Sequence, residues 1–166
     1  MRMFRVLMAI MLAFALASCG PPSKFRKYHG PEVTQIVVDK GARTMRFYHR
    51  ERELRAFPIG LGFAPAGHKQ FEGDGKTPEG RYIIDRRNPD SRFHLSIGIS
   101  YPNPADRAFA ASQGKSPGGD IFIHGKGPRY TRHRGDWTEG CIWVTDREME
   151  DIYAMVRLGT PIEIRP

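Results

Sequence analysis

Two reactive side chains lie near each other in this sequence, each beside glycine. Cys141 stands in Thr138-Glu139-Gly140-Cys141-Ile142, and His124, 17 residues upstream, in Ile123-His124-Gly125. A thiol and an imidazole suit attack on a carbonyl, which needs a thiolate, a base to make it and N–H donors for the oxyanion that forms. A free thiol titrates near ~8.5, and an adjacent imidazole favours the thiolate by pairing with it. His124 is the expected base, because it closes a predicted strand and Gly125 permits close backbone approach; Gly140 lets a substrate carbonyl reach the amides of Gly140 and Cys141. The competitors are His29, His49, His68, His94 and His133, the last in Arg129-Tyr130-Thr131-Arg132-His133-Arg134, which reads as a lid or a solvated loop. One thiol and scattered histidines lack the close ligand pairs of zinc sites, so neither a metal nor another cofactor is expected.

The only other cysteine, Cys19, has a different explanation. Arg2 and Arg5 precede an apolar run from Val6 to Leu16, the pattern of an export signal and too short for a comfortable bilayer span. Leu16-Ala17-Ser18-Cys19 then resembles the lipobox of bacterial lipoproteins, in which cleavage after residue 18 exposes a cysteine that becomes acylated. The alternative is an ordinary secretory signal with a chance cysteine; both readings export the chain. Three acyl chains exceed what stable anchoring needs, and Gly20 in place of Asp favours the outer membrane. The expected location is the periplasmic face of the envelope, anchored through Cys19.

Removing residues 1–18 leaves one thiol in an oxidising compartment with no partner in the chain, so Cys141 is reactive, buried or both. An inert buried cysteine is the bland reading of an isolated thiol; the glycines around Cys141 and His124 weigh against it. The remaining length suits one domain with a single core. Residues 19–31, rich in Pro, Gly and basic side chains, read as a tether, and residues 32–166 as the domain. The net charge of +8 falls to +6 without Arg2 and Arg5. In the envelope such a charge can gather anionic lipids or acidic cell-wall peptides, and no nucleic-acid partner is expected.

The elements that must position the pair are mostly strands. Val33 to Lys40 and Thr44 to Arg50 form a predicted hairpin, followed by strands over Glu53 to Leu61, Arg81 to Asp85, Phe93 to Ser100 and Asp120 to His124, with a short helix over Ala105 to Ser112. Gly75-Lys76-Thr77 is not a phosphate loop, because it runs into Pro78 and a strand instead of a helix. Thr145 and Glu148 form a capping box for a helix whose Met149, Ile152, Tyr153 and Val156 share one face; Gly159 is its expected stop, and Pro161 to Arg165 a last strand. Cys141 therefore opens a short strand, Ile142 to Val144, between a loop and a packed helix, support that suits a positioned nucleophile.

With these residues in place, the chain from about Val33 to Ile164 resembles the L,D-transpeptidase catalytic domain, also called YkuD-like. In that family a strand ending in His-Gly is followed by Ser/Thr-His-Gly-Cys, then Ile or Val, and usually Arg; His124-Gly125 and Thr138, Gly140, Cys141 and Ile142 match. Gly60 to Gly62, Gly75 to Gly80 and Gly118-Gly119 before Ile121 are also familiar. The resemblance implies a mainly β, β-sandwich-type domain with a few short helices, acting on peptidoglycan stem peptides. It implies that Cys141 attacks the carbonyl at the L-centre of diaminopimelate, releases D-Ala and leaves a thioester. A second amine makes the enzyme a transpeptidase, and water makes it a carboxypeptidase- or amidase-type hydrolase. Gly125, Thr138 and Glu139 are then expected at the substrate. Two departures stand out: Glu139 replaces the family's His, and Trp143 its Arg. Arg129, Arg132 or Arg134 are the expected sources of the cation missing at 143. The rival from another class is a silent lipoprotein that binds peptidoglycan.

Overall fold

The computed structural model describes residues 23–166; the expected export signal, the lipobox-like segment and Cys19 lie outside the described residues. Alternating burial builds the first meander. β1 (Gln35–Asp39) pairs antiparallel with β2 (Thr44–His49), and β2 with β3 (Arg52–Pro58). Met45 and Phe47 point into the core between more accessible neighbours, so a slip of one residue would turn both to solvent. β4 (Gly80–Asn88), β5 (Ser96–Ile99), β6 (Phe122–His124), β7 (Ile142–Trp143) and β8 (Pro161–Arg165) complete one eight-stranded sheet in the order β3-β2-β1-β8-β4-β5-β6-β7.

Two features curl that sheet. β4 pairs with β8 over Gly80 to Ile83 and with β5 from Ile84 to Asn88, across a bulge between Ile84 and Arg86, so one strand serves both halves and bends between them. Past β3 the chain returns to the opposite edge: Gly60 exchanges backbone hydrogen bonds with Trp143 at 3.0 and 2.9 Å, and Gly62 bridges Thr138. The two edges therefore meet beside the nucleophile. A Cβ on Gly60 would collide with the Trp143 indole, so this closure needs glycine.

Among the described residues, two helices pack outside the strands. α1 (Pro104–Ser112) starts at Asn103 in a capping box with Asp106, and α2 (Asp146–Met155) in the predicted box of Thr145 and Glu148. The α2 stripe is buried at Met149 and Ile152, and the helix lies against β5 and β6. It ends at Met155, because Val156 is already extended; Gly159, the expected stop, instead turns with φ +83° and donates to the Ile84 carbonyl. Residues 24–26, read as tether, lie on the domain: Lys24 Nζ donates to Pro89 O at 2.6 Å, and Arg26 pairs with Glu150 and Asp151 at 2.7 and 2.6 Å. No helix among the described residues is long and apolar enough to cross a membrane.

Candidate active site

The register of two short parallel strands brings the thiol and the imidazole together. Ile123 lies opposite Ile142 and His124 opposite Trp143. Because side chains alternate, Ile123 and Ile142 enter the core, whereas His124 and Trp143 share the other face with Phe122 and Cys141 one step back. Cys141 is thus the diagonal neighbour of His124. Its Sγ accepts from Phe122 N at 3.4 Å and faces Asp120 O at 3.5 Å, so the thiol proton is directed at a carbonyl in the resting protein.

His124 is only 2% exposed. Phe93 stacks on its ring at 4.3 Å and Trp137 meets it edge-on at 6.0 Å. Nδ1 lies 2.5 Å from the Gly125 carbonyl, which can only accept, so Nδ1 carries the proton and Nε2 keeps the free lone pair. A Cβ on Gly125 would sit 2.5 Å from Asp146 Oδ1 and 2.8 Å from Phe93 O. This glycine holds the base's tautomer through its carbonyl and lets Phe93 close over the ring. The other candidate bases are engaged elsewhere. His94 Nε2 lies 2.9 Å from Glu150, His68 3.1 Å from Asp106, His49 2.9 Å from Glu32 O, and His133 packs against Trp137.

The nucleophile's turn is built by Thr138. Its buried Oγ1 donates to Cys141 O at 2.6 Å and accepts from Gly140 N at 3.2 Å. Both of these hydrogen bonds serve the turn, so Thr138 positions the nucleophile's backbone. The oxyanion expectation narrows too: Gly140 N–H is engaged, while Cys141 N–H has no hydrogen-bond partner among the described residues. Gly140 has φ +127°, and a Cβ there would meet Lys76 O at 2.5 Å. The loop carrying Lys76 is fixed by Asp74, which accepts from Gln70, Phe71 and Lys76 amides and pairs with the buried Lys69 at 2.9 Å. Thr77, on the same loop, accepts from Gly62 N. The glycine-rich bend is thus the buttress under the nucleophile.

Electrostatics favour a neutral resting pair over the expected ion pair. Burial lowers the His124 pKa to about 4; the Gly125 carbonyl opposes that shift, and Arg92 adds to it. Loss of water likewise raises the Cys141 thiol above its ordinary value, with the Phe122 N–H pulling down and Asp120 and Glu139 pushing up. Glu139 is exposed and acts on the sulfur; the groups that shift His124 do not include it. We therefore expect Glu139→Gln to lower the apparent thiol pKa in a pH profile of Cys141 alkylation, with turnover changed by about tenfold or less, roughly 1.4 kcal/mol. A higher thiol pKa in that variant would instead make Glu139 the orienter of His124.

Further residues surround the pair. Lys69, Arg92, Asp120 and Glu139 line a cavity of about 300 Å³ on the Asp120 side of the sulfur, and Arg92, Phe93, Phe122 and His124 one of about 340 Å³ beside the imidazole. Trp137 Nε1 is buried without a hydrogen-bond partner among the described residues. Asp136 ties the loop before it to Arg43 at 2.7 Å and to Leu61 N at 2.8 Å. Arg129 and Arg132 stand exposed on that loop, and Arg134 lines a third cavity beside Trp143. Lys69 and Asp74 carried a faint signal, an acid and a base flanking a glycine-rich bend; Phe93 and Arg92 carried none.

The family model of the L,D-transpeptidase catalytic domain, YkuD, matches residues 33–164. YafK of Escherichia coli (strain K12), provisionally named an L,D-transpeptidase, is 31% identical over 128 residues, 73% of this chain and 46% of YafK. YkuD of Bacillus licheniformis, named in the same way, is 26% identical over 132 residues, 80% of this chain and 66% of that protein. The chain thus spans about half the length of YafK. Among solved structures, the helical cell shape determining protein Pgp2 of Campylobacter jejuni aligns with TM-score 0.65 and 26% identity over 92% of this chain and 54% of Pgp2. An L,D-transpeptidase of Mycobacterium smegmatis shares the fold at TM-score 0.54 and 20% identity, over 82% of this chain and 60% of its own.

Proposed function

The chain belongs to the L,D-transpeptidase catalytic-domain family, and from that premise we propose that it is a cell-wall cysteine acyltransferase, acting on peptidoglycan stem peptides through a Cys141 thioester with His124 as base. The observation that carries this reading is the fixed Nε2 lone pair on the same sheet face as Sγ. As the substrate carbonyl arrives, the thiol turns from Asp120 O toward Nε2. Sulfur bonds to the carbonyl carbon, the thiol proton passes to His124, and Cys141 N–H supports the oxyanion. Collapse breaks the C–N bond to D-Ala, whose amine takes the proton from His124. An incoming amine then attacks the thioester, giving its proton to His124 and thence to the departing sulfur. A neutral pair performs this cycle without a standing charge separation in a dry site.

Hydrolysis of the same thioester is the second reading. The exposed carboxylates of Glu72, Asp120 and Glu139 near the sulfur favour it, because such a group can take a proton from water; they can equally attract an ammonium acceptor. Incubating the purified domain with disaccharide tetrapeptide and weighing the products decides: a dimer means transferase, a tripeptide means hydrolase, and unchanged substrate supports a silent binder.

Export and lipidation at Cys19 belong to the same proposal, supported by the lipobox-like Leu16-Ala17-Ser18-Cys19. Cys19→Ser is expected to lose the lipid and to leave the membrane fraction or accumulate unexported, whereas Cys141 variants fractionate as wild type. Retention of Cys19→Ser on membranes after carbonate washing overturns the anchor.

A further inference from the structure

The loop between β4 and β5 carries the ring that covers the imidazole. Ser91, Arg92 and Phe93 of this loop line the cavity beside His124, and Phe93 stacks on the His124 ring at 4.3 Å. His94, the next residue, has φ +78°, and Leu95 N donates back to Phe93 O at 3.1 Å. A three-residue turn of that hand is strained for any residue but glycine, and it persists only where other contacts hold it.

Those contacts come from the N-terminal segment and α2. Lys24 Nζ donates to Pro89 O at 2.6 Å and to His94 O at 3.3 Å, so one ammonium fastens both ends of the loop. Glu150 divides its two oxygens: Oε1 lies 2.9 Å from His94 Nε2, and Oε2 accepts from Arg26 Nε at 2.9 Å. Arg26 also pairs with Asp151, and Phe25 packs on Tyr153 with ring centroids 6.2 Å apart. A chain of contacts thus runs from Lys24 and Glu150 through His94 to Phe93 and the imidazole. Residues 24–26 contribute nothing to the core, whose buried residues start at Val33 among the described residues. Phe25 is 53% exposed and the Arg26 side chain 33%. Ion pairs so exposed are individually weak, so the segment can leave and rebind without unfolding the sheet.

Resting on the role proposed above for His124, we propose that residues 24–26 are a strap that holds the Phe93 loop shut over the base, and that release of the strap opens the loop and bares the imidazole to solvent.

The test is modification of the full chain at neutral pH by diethyl pyrocarbonate, which acylates unprotonated imidazole, read at each histidine by peptide mass spectrometry. His124 is expected to be protected in wild type, and His49 on β2, outside these contacts, reports general loosening. Lys24→Met combined with Arg26→Met is expected to raise the His124 rate at least about fivefold and to leave His49 unchanged. Lys24→Arg, which can still donate to both carbonyls, keeps the protection. Glu150→Gln removes the charge that Arg26 and His94 share and raises the rate; adding Arg26→Met raises it little further, because both cut the same link. A His124 rate that stays at the wild-type level in the Lys24→Met, Arg26→Met variant overturns the strap. So does a rise at His124 that His49 matches, which marks a loosened fold. Failure of the enzymatic reading looks different: the variant bares His124, yet neither it nor wild type converts the disaccharide tetrapeptide.

Discussion

Cys141→Ala is expected to abolish turnover, His124→Ala to lower it to nearly the same floor, and the double variant to be no slower than the first. In the proposed mechanism the two side chains act as one unit: without sulfur there is no nucleophile, and without Nε2 nothing takes the thiol proton as the carbonyl is attacked. Losing the base costs about 10²–10⁴-fold, and the two losses do not add. Product analysis by mass measures all three variants, with far-ultraviolet circular dichroism to confirm folding. Activity in either single variant close to wild type would end the dyad. Stability offers a check independent of substrate. The folded His124 pKa of about 4 lies below the ordinary 6.5, so the unfolded chain binds the extra proton first. This contribution is fully present above pH 6.5 and lost as pH falls toward 4, by about 3 kcal/mol. His124→Gln should show a shallower acid destabilisation over that window; an unchanged slope would mean that the ring is not held neutral.

Gly140→Ala is expected to destabilise the domain by about 2–5 kcal/mol and to cost at least about 10²-fold in turnover. The backbone at Gly140 has φ +127°, and an added Cβ would lie 2.5 Å from Lys76 O and 3.2 Å from Ile121 Cδ1. Neither neighbour can step aside freely, because Asp74 and Lys69 pin the loop of Lys76 and Ile121 is in the core. The adjacent thiol must then move. Gly135→Ala is the control: φ there is +64°, but nothing lies within 4 Å of the added Cβ, so the cost is about 1 kcal/mol. Urea denaturation and product assays compare the two. If Gly140→Ala behaves like Gly135→Ala, the buttress does not place the nucleophile.

Local chemistry was legible wherever adjacent residues decide it. The strand pattern around Met45 and Phe47 and the capping box of Thr145 and Glu148 follow from periodicity and side-chain type. These depend on neighbours a few residues apart. The end of α2 was less legible: Gly159 is a good helix stop, but Val156 leaves the helix earlier, where packing holds it at 1% exposure.

The roles within the site divide the same way. From sequence alone, Cys141 and His124 stand out because reactivity belongs to the side chain itself. That Gly125, Thr138 and Gly140 N–H serve the scaffold, and that His124 is neutral under Phe93 with Lys69 and Arg92 around the cleft, came only from the tertiary structure. The reason is distance along the chain. Phe93 reaches His124 because β5 pairs with β6, and Lys76 reaches Gly140 because Gly60 and Gly62 close the curled sheet onto β7 and the turn before it. Burial and hydrogen-bond partners, which set the protonation of the pair, are properties of that closure, and no local window of residues contains them.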